Sequence, residues 1–272
     1  MSTEKIYPEN LFHSLSSGSS GNCYYLGNES RGILIDAGIP AGNIRKFLKS
    51  KGISMQAIMG ILVTHMHTDH TRGLELLTRK SHLPVFTTDK IWKSILSRKI
   101  DVSGARVNLI DLQQRFQLAG FDIEAFPVSH DAPETIGFHI CAGDTKITIA
   151  TDLGHICQTA APYIKAANLL VIESNYDEAL LMNGSYPHFL KARILSDHGH
   201  LGNHQTSAFL ADMHNENLRH ICLAHLSNNN NTPEIALQTL QQTFAERGIG
   251  ADHQPQISIL KRHMPSEVIR LN

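Results

Sequence analysis

Apolar positions along the chain fall into two textures. The first half reads as short β-type segments. Residues 22–26 and 32–35 are apolar runs on either side of Gly27-Asn28 and Arg31-Gly32, which predicts a strand pair with a tight turn. Residues 43–51 carry Ile44, Phe47 and Leu48 at helical spacing, and Gly52 is placed to end that helix. The unbroken run 57–63 predicts a strand buried on both faces, and the polar segment 64–70 follows it directly. A helix over 71–80 with Leu74, Leu76 and Leu77 as its apolar stripe, a short strand at 84–87 and a helix over 89–98 come next. From 107 to 150 the pattern is strand-rich, with 121–128, 135–141 and 146–150 separated by turn residues. Beyond 153 helical stretches (156–167, 187–197, 205–216, 233–247) alternate with buried strands at 169–172 and 220–224. A last strand lies near 256–261. Strands and helices followed by a second mixed half predict two sheets packed face to face with helices outside. No internal sequence repeat stands out.

Composition narrows the function classes. Lys plus Arg number 24 against 25 Asp plus Glu, for a formal net charge of −1, so any nucleic-acid binding rests on a local site and not on bulk charge. A 42% hydrophobic content excludes wholesale disorder. The apolar runs are far too short to cross a bilayer, and residues 1–10 lack the apolar stretch of a secretory leader. Cys23, Cys141, Cys157 and Cys222 have no Cys-x-x-Cys spacing, which argues against a zinc ribbon or a disulfide framework and for a reducing cytoplasm. The 17 histidines change the picture, because they cluster.

The segment Thr64-His65-Met66-His67-Thr68-Asp69-His70 places four metal-ligand types directly after a buried strand. A strand end running into a loop turns His65, His67, Asp69 and His70 toward one pocket, and borderline cations such as zinc favour this mixture of imidazole and carboxylate. Four further β-type runs end in a ligand type: Asp36 after Ile33-Leu34-Ile35, His130 after Phe126-Pro127-Val128-Ser129, Asp152 after Ile147–Thr151, and His225 after Ile221-Cys222-Leu223-Ala224. Each alone reads as a strand-end cap, but their recurrence does not.

In that order the five motifs resemble the metallo-β-lactamase-fold superfamily. The resemblance implies an α/β fold, a four-layer αβ/βα sandwich formed as one domain over residues 1–272, with two divalent metal ions at one edge of the sheets. It implies that His65, His67 and His130 hold the first ion, that Asp69, His70 and His225 hold the second, and that Asp152 bridges them. Asp36 then orients ligands by hydrogen bonding without touching either ion. Zinc suits this set first, and manganese or iron also fit. Within the superfamily, Ser16-Ser17-Gly18-Ser19-Ser20-Gly21-Asn22, Glu173-Ser174-Asn175-Tyr176-Asp177, Tyr186-Pro187, Leu190-Lys191-Ala192-Arg193-Ile194, Gly199-His200-Leu201-Gly202-Asn203 and His225-Leu226-Ser227-Asn228 resemble the YycJ/WalJ-type subfamily of metal-dependent nucleases. Gly202 departs from that group, which carries Ser there.

A second resemblance concerns proton transfer. Transfer-RNA 3′-processing endonucleases of this fold pair a Glu after a strand with a His before a helix to protonate the leaving oxygen, and Glu173 and His200 match by position. A departing alkoxide needs such an acid. Neither the long arm of those enzymes nor the large inserted domain of the β-CASP nucleases finds room in this chain. The Ser-rich loop, with Ser19, Ser20 and Asn22, either cradles phosphate oxygens or only makes a turn. Lys191 and Arg193 do not share a helical face, so one of them contacts a phosphate and the other is a solvated charge. Asn228 is a candidate substrate contact beside His225. His155 is near enough to Asp152 to line the pocket, and the other histidines read as packing or surface residues.

The resulting expectation is a binuclear metal-dependent phosphodiesterase acting on nucleic acid like a DNA exonuclease, with Asp69, His200 and Glu173 catalytic and a water activated between the two ions. Two rivals stand beside it. One is hydrolysis of a thioester, lactone or lactam on the same site, which needs no acid like His200. The other is a non-catalytic metal-binding regulator. No membrane association is expected, and oligomeric state is left open.

Overall fold

Strands with apolar side chains on both faces need a covering layer on each side, and two such sets here cover one another. In the computed structural model, which describes residues 9–98 and 100–271, β1 (Asn10–Ser16), β2 (Cys23–Gly27), β3 (Gly32–Ile35), β4 (Ile58–Leu62), β5 (Val85–Thr87), β6 (Val107–Leu109) and β14 (Ile269–Leu271) form one sheet, in the order β14-β1-β2-β3-β4-β5-β6. The second sheet contains β7 (Arg115–Leu118), β8 (Phe121–Val128), β9 (Thr135–Ala142), β10 (Thr145–Ala150), β11 (Leu169–Glu173), β12 (His220–Ala224) and β13 (Gln256–Ile259), in the order β13-β12-β11-β10-β9-β8-β7. The expectation about a leader in residues 1–10 falls largely outside the described residues.

Side-chain alternation decides which core each residue joins. In β11, Leu169 and Val171 belong to the apolar cluster that joins the two sheets to α1 (Ala41–Ser50), α3 (Leu74–Ser81) and α4 (Asp89–Ser97). Leu170 and Ile172 join the cluster under α5 (Ala161–Lys165), α8 (Asn203–Asp212) and α9 (Pro233–Glu246). The layers are therefore helix, sheet, sheet, helix, as the resemblance implied. Among the described residues no helix is long and apolar enough to cross a membrane, and all four cysteines are free thiols.

The two sheets repeat one plan that the sequence does not reveal. Each begins with three antiparallel pairings and continues with three parallel ones, the change falling at β3 in the first sheet and at β10 in the second. Asp36 follows β3 and Asp152 follows β10, so the two aspartates occupy equivalent places.

Several elements differ from expectation. The helix over 156–167 shrinks to α5, because Pro162 lacks the N–H that an earlier start would require and is accommodated only in the first turn. Helix 71–80 is divided: α2 (Thr68–Thr71) is a single turn within the histidine motif, and α3 starts at Leu74. Strands β1 and β14 were not anticipated, nor was α6 (Glu178–Asn183). The helix over 187–197 is α7 (His188–Leu195).

Candidate metal centre

The predicted ligands meet where strand ends of both sheets converge. His65 follows β4, His130 follows β8, Asp152 follows β10, Glu173 ends β11 and His225 follows β12. Their ligand atoms form three groups, each with all members within 4.8 Å: His65, His67 and His130; Asp69, His70, Asp152 and His225; and Asp152, Glu173, His200 and His225, the last two sharing Asp152 and His225. All seven predicted metal ligands are in the first two groups. A turn of the chain lets the histidine motif approach: a Cβ at Gly38 would stand 1.6 Å from the Asp69 carbonyl oxygen, so no side chain fits there.

One ring nitrogen of each key imidazole is held from behind. His70 Nδ1 lies 2.6 Å from Asp36 Oδ2, His130 Nδ1 lies 3.0 Å from the Gly199 carbonyl oxygen, and His225 Nδ1 lies 2.6 Å from Glu173 Oε1. Each then donates Nδ1–H and turns Nε2 into the cluster, the arrangement that metal-binding histidines use. His65 Nε2 and His67 Nδ1 face each other at 3.1 Å. Asp36 is fully buried and also accepts from the Thr64 amide at 2.9 Å and the Thr64 hydroxyl at 2.8 Å. It touches no other member of the cluster than His70 among its hydrogen-bond partners, as expected of a residue that orients ligands.

Buried polar atoms need partners, and two in this cluster are poorly served: Asp152 Oδ2 lies 3.1 Å from His70 Nε2 and His225 Nε2 lies 3.8 Å from Asp69 Oδ2, but neither contact has hydrogen-bond geometry. A divalent cation supplies what both lack, so the donor set fits a two-metal site. Burial, reinforced by neighbouring imidazoles, holds His65 and His67 below the usual histidine range, which leaves them neutral as ligands must be. In the second group burial opposes charge, yet attraction wins. Asp152, Asp69 and Glu173 push His225 up to about 10, and His225 and His70 hold Asp152 well below the usual carboxylate range, so a cation that binds here must displace the His225 proton.

Glu173 has two duties. Its Oε1 lies 2.8 Å from His200 Nδ1 as well as 2.6 Å from His225 Nδ1, and Oε2 accepts from the Leu153 and Leu201 amides at 3.0 and 3.3 Å. Burial would raise this carboxyl, but His200 and His225 bring it to about 2. In return, Glu173 lifts His200 above the usual histidine range against its own burial. His200, at the edge of the cluster, therefore holds a proton more readily than a free histidine does. Sequence reasoning paired Glu173 with His200 but missed its contact with His225.

Other candidates are placed as follows. Asn22 is fully buried; its side chain accepts from Gly18 N at 2.8 Å and lies 2.9 Å from His70 Nε2. Ser17 Oγ accepts from the His225 amide at 2.9 Å. The Ser-rich loop therefore braces the second ligand group, while Ser19 is exposed and the Ser20 hydroxyl has no protein partner. Lys191 Nζ donates to the Met182 carbonyl at 2.7 Å. Arg193 instead reaches the centre, pairing with Asp131, whose Oδ1 lies 3.1 Å from His130 Nε2 and 3.8 Å from His67 Nε2. Asp131 was not anticipated, although it directly follows His130 in the chain. Asn228 is exposed and, among the described residues, bonds its neighbour Asn229, whereas Asn230 and Asn231 are buried. His155 is exposed, with Nδ1 3.0 Å from the Asp197 carbonyl oxygen.

Residues 31–225 match the model of the beta-lactamase superfamily domain. The chain is 34% identical over 257 residues to the exodeoxyribonuclease YycJ of Bacillus anthracis, covering 94% of this chain and 97% of that one. It belongs to the beta-lactamase superfamily, in the YycJ/WalJ-type branch. The exodeoxyribonuclease WalJ of Streptococcus pneumoniae is 33% identical over 242 residues, or 88% of this chain and 90% of that protein. The metallo-beta-lactamase fold protein YhfI of Bacillus subtilis superposes with a TM-score of 0.72 at 13% identity, over 97% of this chain and 100% of that one, a likeness of fold. Gly202, the departure from the YycJ/WalJ-type pattern, has a structural reason here. A Cβ at this position would meet the Tyr176 ring at 2.8 Å, and the Gly202 amide donates to Gln205 Oε1 at 2.8 Å instead.

Proposed function

We propose that this protein is a binuclear metal-dependent phosphodiesterase that degrades DNA as an exonuclease, on zinc first and on manganese or iron as alternatives. His65, His67 and His130 would hold one ion, Asp69, His70 and His225 the other, with Asp152 between them. When bound, two such ions lower the pKa of a water and neutralise phosphoryl oxygens. Asp69 or Asp152 orients the attacking water by accepting a hydrogen bond from it. His200, whose protonated form Glu173 favours, donates its Nε2 proton to the departing alkoxide. Asp36, Gly199 and Glu173 keep three imidazoles aimed inward. The relatives that span nearly the whole chain are named exodeoxyribonucleases, which supports DNA as substrate. The four free thiols fit a reducing cytoplasm. Residues 1–272 form one domain in this reading.

The Glu173–His200 pair at 2.8 Å carries the choice of phosphodiester over acyl substrates. His200→Ala should reduce DNA turnover by roughly 10²–10⁴-fold, the worth of a general acid. Bis(p-nitrophenyl) phosphate has a far better leaving group, so the variant should retain much more activity on it. Equal losses on both substrates remove the acid role. A thioester or lactam turned over faster than every phosphodiester makes the protein an acyl hydrolase.

A further inference from the structure

Phe189 is 77% exposed, a large apolar ring in water, and α7 buries none of its residues. Leu190, Lys191 and Ile194 are half-buried on its inner side, so packing does not explain an exposed Phe189 on the outer face. Phe189 and Arg193 are four positions apart on this helix and therefore share one face, about 6 Å apart along the axis. Arg193 is the inner of the two. Its guanidinium pairs with Asp131, and that carboxylate also touches the Nε2 side of His130 and His67. After α7 the chain runs on through Gly199, whose carbonyl meets His130, to His200 in the cluster. Phe189 is one turn farther out.

We propose that this face of α7 recognises one nucleotide of the substrate, Arg193 holding a phosphate at the rim of the centre and Phe189 stacking on the base beside it. The proposal rests on the phosphodiesterase reading and narrows it. A guanidinium fork matches phosphate oxygens in two parallel hydrogen bonds. An exposed salt bridge such as Arg193–Asp131 is weak, so a phosphate can draw the arginine from it. An aromatic face stacks on a base only when that base is unpaired. The substrate engaged here is therefore a single strand or a frayed end, not the interior of a duplex. Charge complementarity with Arg193 and continuity with the metal cluster favour a nucleic-acid strand over a second copy of this chain as the occupant of the face.

The test is binding of a fluorescent single-stranded oligonucleotide to chelated protein, followed by anisotropy at several salt concentrations. Phe189→Ala should weaken binding roughly 5- to 100-fold, and Phe189→Trp should keep it. Arg193→Ala should weaken binding to every sequence and reduce the slope of log K against log salt by about 1, with Arg193→Lys restoring most of the slope. An abasic nucleotide at the engaged end should lower wild-type affinity to the level of Phe189→Ala. Absent wild-type affinity, or affinity unchanged in both alanine variants, overturns the proposal. So does a Phe189→Ala protein that binds normally but elutes at a smaller size, which makes the patch an interface between copies. Loaded wild type that hydrolyses no phosphodiester overturns the underlying reading instead.

Discussion

Asp36, Asp152 and His225 all stand on left-handed backbone, with φ of 58°, 57° and 55°. Such a conformation costs a non-glycine residue about 1–2 kcal/mol, and only six non-glycine residues adopt it among the described residues. Half of them face the metal cluster, each just past a strand. A left-handed residue ends the extended run abruptly and turns its side chain into the space at the sheet edge. Neighbours hold the turn: the Asp36 amide donates to the Leu62 carbonyl at 2.8 Å, and the His225 amide to Ser17 Oγ. Asp36→Ala should weaken metal binding roughly 10–100-fold, measured by calorimetric titration, since it frees the His70 ring. Unchanged affinity would make Asp36 a strand end and nothing more. The residues that gather in the cluster were legible because each of their segments follows an apolar run. The bracing by Asn22 and the Arg193–Asp131 pair were not, because they depend on which distant loops face each other. Asn22 and His70 are 48 positions apart.

At the scale of elements, local signals served where one segment determines its own shape. Helix α9 is such a case: Thr232 accepts from the Ile235 amide at 3.2 Å, and Pro233 occupies the first turn. Thr232→Ala should cost about 1 kcal/mol and lower the melting temperature by a few degrees; no change would mean that packing on α8 alone fixes this helix end. Strands β1 and β14 escaped notice for the opposite reason. Asn10–Ser16 mixes His13 and two serines into an apolar run, and its partner Ile269–Leu271 lies at the far end of the chain. His13 in β1 is buried with no partner for Nδ1 and its ring edge-on to Phe47 at 5.5 Å. Burial, with Lys51 nearby, lowers its pKa to about 4. Because the unfolded chain binds this proton more readily, His13 leaves stability intact above about pH 6.5 and reduces it as pH falls toward 4. Between about pH 7 and pH 5 the wild type should lose about 2 kcal/mol more than His13→Phe in denaturant unfolding. Equal losses would show that the site accepts the proton.

For the whole molecule, the sequence foretold two sheets with helices outside, and the motif order foretold the edge where the ligands meet. What it concealed was the repeated plan of the sheets. Backbone pairing direction leaves no trace in residue identity when strands of both kinds are buried on both faces, as β3 and β11 are. That plan places Asp36 and Asp152 at equivalent ends of β3 and β10, and the junction between the halves becomes the site.

The central claim is that this junction hydrolyses phosphodiesters only with two metal ions in place. Its most direct test is degradation of end-labelled DNA by chelated protein as zinc, manganese or iron is added back against a known protein concentration. The account predicts no hydrolysis after chelation and activity that rises to saturate at about two ions per chain, with Asp152→Ala inactive throughout. Hydrolysis that persists without metal, or a fully loaded protein that leaves DNA and bis(p-nitrophenyl) phosphate intact, would contradict it.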